Sequence, residues 1–139
     1  VLNQAELEAR YQVLIRDFIH SVKTQARIMT RMAQEGVYPA LLRYQIELEN
    51  VAVNGFSESA KTRAVFNANL MDELDAKTKE LDQMIDKIIQ SGDNENIIRD
   101  MMNKLRPAMQ ELAALLRKIE LYCPYDVFPY PTEEELIVV

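Results

Sequence analysis

Between Ala64 and Ile88 the sequence sets Ala64, Asn67, Met71, Leu74, Thr78, Leu81, Ile85 and Ile88 at alternating steps of three and four residues. Held over about four heptads, that spacing fits an α-helix with one buried seam and no strand, whose faces alternate every second residue. A helix of this length has to bury its seam against other helices. Three glycines and five prolines in 139 residues leave little material for the turns of a sheet protein, while Leu, Met, Glu, Lys and Arg are abundant. The expected class is all-α.

Three further helices follow from the same spacing. Asn3 with Glu6 reads as a capping-box variant, and Tyr11, Ile15, Phe18, Val22, Met29 and Met32 form an apolar seam with Gln25 at the position they skip. Gly36 is placed to stop this helix and Pro39 to start a short second one that runs to about Gly55. Ser57 or Ser59 caps the third helix, and the stretch "SGDNEN" ends it and caps a fourth. The fourth seam is Ile98, Met101, Leu105, Ala108, Leu112, Leu115 and Ile119. Pro107 lies inside that helix, where a missing N–H and a clash with the carbonyl of Asn103 predict a kink. Short connections around 36–38, 55–58 and 91–96 favour antiparallel neighbours. The expectation is an antiparallel bundle of about four helices over residues 1–122, followed by an extended proline- and aromatic-rich tail over 123–139.

The net charge of −6 is concentrated in the second half, since residues 1–60 carry seven acids against six bases and the remainder fifteen against ten. An acidic chain without a dense Lys/Arg cluster is not built for nucleic acid. No apolar run approaches the roughly 20 residues that span a bilayer, so no membrane association is expected. Cys123 is the single cysteine and cannot form an internal disulfide, and no N-terminal run resembles a signal peptide, which makes a cytoplasmic location the default. The start at Val1 fits a segment of a longer polypeptide.

The residue types that carry chemistry do not converge. Asp17 and His20 have the three-residue spacing with which carboxylate-bridged di-iron sites begin, but the second histidine such a site draws from another helix does not exist in this sequence. Cys123 lacks a histidine partner, and Glu133, Glu134 and Glu135 after Thr132 read as a capped turn. With no glycine-rich phosphate loop and no clustered metal ligands, no catalytic, cofactor-binding or metal residue is assigned. Asn67, Thr78 and Gln25 read as register-fixing polar positions, with ligand contact as the other reading. Arg16, His20, Lys23, Arg27 and Arg31 fall within about 80° on the helical wheel. This basic stripe is either an ordinary solvated face or a docking face for an acidic partner surface.

Two stretches give the chain a resemblance. "YPALLRYQIEL" (Tyr38 to Leu48) resembles a Pro-Ala-x-x-[Arg/Lys]-Tyr-Gln-x-Glu segment near the C-terminus of type III glutamine synthetases, and "FPYPTEEEL" (Phe128 to Leu136) resembles that family's closing Trp-Pro-x-Pro-Thr-Tyr element. "MQELAALLRKIELYCP" is similar to the helix that leads into it. Phe128 stands where the family has Trp, and Glu133 where it has Tyr. The resemblance implies a parent enzyme that ligates ammonia to glutamate with ATP and Mg or Mn, assembled as a large homo-oligomer. Its catalytic elements lie upstream, so none of its substrate or metal residues maps onto this chain. The implied role is a non-catalytic C-terminal helical region that contacts the upstream catalytic domain and serves subunit packing. An independent helical interaction module is the alternative.

In either case the tail reads as a clasp. Pro124, Pro129 and Pro131 restrict the undocked chain, and Tyr125, Phe128 and Tyr130 are its expected anchors on the bundle or a partner subunit, with Leu136 and Ile137 as further contacts.

Overall fold

The computed structural model describes residues 3–131, and the regular structure among them is entirely helical. Helix α1 (Gln4–Met32) runs through a π-helical turn, π1 (Ala33–Val37), straight into α2 (Tyr38–Asn54). After a short turn α3 (Glu58–Gln90) returns along it. Helix α4 (Asn94–Asp100), a second π turn, π2 (Met101–Leu105), and α5 (Arg106–Tyr122) form the last continuous rod. The described residues therefore make three helical rods where the sequence predicts four separate helices.

The helix ends that do occur are those with a side-chain acceptor for the free N–H groups. Asn3 Oδ1 accepts from Glu6 N at 2.8 Å, Ser57 Oγ from Ala60 N at 3.2 Å, and Asp93 Oδ1 from Asn96 N at 2.8 Å. The break expected at Gly36 is absent. Ala26, Thr30, Ala33, Val37, Leu41, Leu48 and Ala52 are all buried, so the buried seam passes through position 36. Ending the helix there would leave that seam without a continuous surface to pack on.

Both helix-internal prolines sit two residues behind a π turn, Pro39 after Val37 and Pro107 after Leu105. In an α-helix each ring would meet the carbonyl four residues back, Glu35 or Asn103. Both carbonyls belong to π turns, in which Tyr38 N–H bonds Ala33 O and Arg106 N–H bonds Met101 O, five residues back. The extra residue per turn relieves the contact and keeps the rod helical. Where the sequence predicts a kink at Pro107, the structure has this widened turn.

Antiparallel pairing of the first two rods is written in their contacts. Asn67 Nδ2 donates to Gln45 Oε1 and Leu41 O, and Arg27 pairs with Asp82 and Asp86. Helix α5 runs antiparallel to α3 in turn, with Lys77 against Glu111 and Tyr122 against Arg63 and Phe66. The core between the rods includes Leu41, Leu74, Leu81, Ile85, Met101, Leu105, Leu112 and Ile119. Every residue of the predicted third-helix seam is buried.

The first and last rods show small phase differences from the sequence reading. On α1 the buried residues are Ile15, Ala26 and Thr30, while Tyr11, Phe18, Gln25 and Met32 are exposed. Fully buried Ala26 and Ala33 let the backbones approach where large side chains were expected to fill the space. In α4, Ile97 rather than Ile98 is buried, because the extra residue in π2 rotates the turns before it.

Candidate docking surfaces

The tail is positioned by a glycine. After Tyr122 the chain turns through a Val127 N to Pro124 O bond of 2.9 Å and comes back along α5, where Phe128 and Tyr130 pack against the core. Tyr130 lies on Gly36: a Cβ at that position would fall 2.7 Å from Tyr130 Cζ and closer still to its hydroxyl. The hydroxyl donates to Met32 O at 3.3 Å, and the Phe128 and Tyr130 rings meet edge to face at 6.2 Å. Gly36 thus provides the seat for Tyr130 and does not terminate a helix. Phe128, Tyr130 and Pro131 sit beside Val37, one residue before the Tyr38–Leu48 stretch.

Tyr125, the third expected anchor, is 82% exposed. The capped turn from Thr132 to Glu135 and the contacts expected of Leu136 and Ile137 lie outside the described residues. Cys123 is half-buried, and burial pushes its thiol up to about 11, which keeps it protonated and poorly nucleophilic at neutral pH. Beside it Tyr122 is held between Tyr44 and Phe66, at ring separations of 6.2 and 4.9 Å, and burial is the main cause that pushes its phenol up to about 12.

The basic stripe divides. Arg27 forms ion pairs with Asp82 and Asp86 of α3, and Arg31 pairs with Glu35 at 3.1 Å. The hydrogen bond to Asp86 is the largest cause that raises the Arg27 pKa. Arg16, His20 and Lys23 are exposed and form no ion pair among the described residues. Asn67 is fully buried and ties α3 to α2, with its Oδ1 left without a partner, and Thr78 Oγ1 donates to Leu74 O at 2.6 Å. Gln25, outside the buried seam, bonds Ser21 at 3.5 Å.

A surface that the sequence reading missed lies at the start of α1. No residue from Asn3 to Leu14 is buried or half-buried: the turn between α3 and α4 lies at the level of Gln12, where Asn94 bonds it, and nothing among the described residues covers the turns beyond. Leu7, Tyr11, Leu14 and Phe18 share one face there, at 55, 55, 67 and 39% exposure. The available signal was present, since the apolar spacing of α1 extends further toward the N-terminus than the partner helix can reach. These four side chains form an exposed apolar row along about three turns of α1.

No helix among the described residues is long and apolar enough to cross a membrane, and none of their His, Cys, Asp and Glu side chains form a group of three or more that could hold a metal ion. A comparison with curated proteins gives no match. Residues 1–55, which include α1, π1 and α2, match the family model of the glutamine synthetase C-terminal domain.

Proposed function

We propose that this chain is the non-catalytic C-terminal helical module of a type III glutamine synthetase and that it acts in subunit packing. The observation that carries the reading is the match over residues 1–55, which covers the whole first rod and includes its uncovered apolar row. On this reading Leu7, Tyr11, Leu14 and Phe18 cover apolar surface on a neighbouring subunit of the homo-oligomer, and the upstream catalytic domain precedes α1. On the same reading, ATP and Mg or Mn belong to that upstream polypeptide, as the resemblance implies. On this reading the protein works in the cytoplasm. The "type III" assignment rests on the resemblance of Tyr38–Leu48 and Phe128–Leu136, of which only the first lies within the family match.

Sequencing the source gene upstream of the Val1 codon tests the parentage. The expected result is an open frame of several hundred codons that encodes a glutamine synthetase catalytic region. An initiator codon immediately before Val1 would leave an independent helical interaction module, in which Arg16, His20 and Lys23 are the basic docking residues.

A further inference from the structure

The exposed row on α1 runs into a groove. Leu7, Tyr11, Leu14 and Phe18 are followed on the same face by Ser21 and Gln25, in steps of four, three, four, three and four residues. Phe18, Ser21 and Gln25 also line a groove of about 470 Å³ between α1 and the last rod, with Met102 and Met109 on its other wall. The buried residues of α1, Ile15, Ala26 and Thr30, lie roughly a quarter turn further round. The row therefore has the spacing of a helix packed along a partner helix, on a face that the fold of the described residues leaves open.

The pattern of the row selects the occupant. The interval four, three, four from Leu7 to Phe18 reads the same in both directions, so two copies of α1 laid antiparallel match the whole row in one register, Leu7 with Phe18 and Tyr11 with Leu14. The two-fold axis of that pair passes between the levels of Gln12 and Val13 and turns like flanks toward each other. Arg10 and Asp17, seven residues apart, share one flank. Arg10 of each copy then faces Asp17 of the other with a stagger of about 3 Å, well within the reach of an arginine side chain. Both residues are exposed, and neither forms an ion pair among the described residues. A parallel pair would set the last rods of both copies at the same level beside the contact, because that rod runs parallel to α1. An antiparallel pair carries the second bundle away past Leu7, where no described residue covers α1.

We propose that α1 pairs antiparallel with α1 of a second copy through Leu7, Tyr11, Leu14 and Phe18, with reciprocal Arg10–Asp17 ion pairs, and that the first turn of each helix closes the mouth of the other copy's groove at Phe18 and Ser21. Methionine side chains on the far wall adapt to the helix that arrives there. The pairing rests on the subunit-packing reading and identifies the surface that the row meets.

Sedimentation equilibrium of the full chain up to about 1 mM, a range in which small interfaces associate, tests it. The unsubstituted chain should be dimeric at the top of that range. Arg10→Asp and Asp17→Arg each set like charges against each other twice across the two-fold axis, and each should weaken dimerisation by about tenfold, with helicity unchanged by circular dichroism. Combining the two substitutions restores opposite charges, so the double variant should dimerise within about twofold of the unsubstituted chain. A chain that is monomeric throughout overturns the pairing, and so does a double variant that dimerises no better than the single ones. The packing reading itself fails on a different experiment, substitution of the row within the synthetase, so each can be overturned without the other.

Discussion

Leu41→Ala is expected to lower the stability of the folded chain by about 2–5 kcal/mol, whereas Leu42→Ala at the adjacent position changes it by about 0.5 kcal/mol or less. The two residues are chemically identical neighbours in "PALLRYQ", and only the rotation of α2 separates them. Leu41 is 0% exposed in the core and Leu42 is 45% exposed. Removing three carbons at the first site leaves a cavity walled by α3, whose position is held by the Asn67 bonds to Leu41 O and Gln45. At the second site water replaces them. Urea unfolding of both variants gives the comparison, read at constant m-value so that the midpoint shift reports stability. Equal losses in the two variants would mean that the first rod is rotated from the position described.

Gly36→Ala is expected to change sign with the residue at position 130. In a helix, alanine is favoured over glycine by about 1 kcal/mol, so the substitution should stabilise a chain in which Tyr130 is already Ala. With Tyr130 present the new methyl occupies the space of the phenol ring and must displace it, which removes the ring's burial and its bond to Met32 O. Burial of a large side chain contributes about 1.5–3 kcal/mol at most for a fully covered ring, and Tyr130 is half-buried, so the substitution should be neutral or destabilising by about 1 kcal/mol. A double-mutant cycle over Gly36→Ala and Tyr130→Ala should therefore return a coupling of about 1–2 kcal/mol. A coupling near zero would show that the tail does not rest on Gly36.

The long-period signal of α3 was fully legible because large and medium apolar residues recur there on a single phase, and all its predicted seam positions are buried. The N-caps were legible to within a few residues, Asn3 outright, Ser57 as one of two serines and Asp93 within "SGDNEN", because each is a short polar side chain whose hydrogen bond is local. Gly36 was misread because its local signature, glycine followed by Val-Tyr-Pro, is that of a helix end. The helix continues because the buried seam runs through this position, and the glycine makes room for a phenol from the far end of the chain. Pro39 and Pro107 were misread for a different reason, since a proline in sequence announces a broken ladder but not whether a π turn ahead of it will absorb the break. On α1 the apolar spacing located the helix but mis-set its face by about one position, because side-chain size favoured Phe18 and Met32 over the alanines that permit close approach. The basic stripe was visible as a pattern. That Arg27 and Arg31 are engaged within the chain depended on the placement of α3 and on side-chain geometry.

Exposed residues can be changed at small cost to the fold, and the uncovered row on α1 can therefore be tested apart from stability. The measurement is sedimentation velocity of the synthetase that carries this chain, with Leu7→Asp, Tyr11→Asp and Leu14→Asp introduced together and the helicity of the isolated chain checked by circular dichroism. The row as a subunit contact predicts unchanged helicity and a shift of the enzyme to smaller assemblies, because three carboxylates would be buried without partners at the interface. An enzyme that sediments as the unsubstituted assembly does, with all three aspartates in place, would contradict a role for this helix in subunit packing.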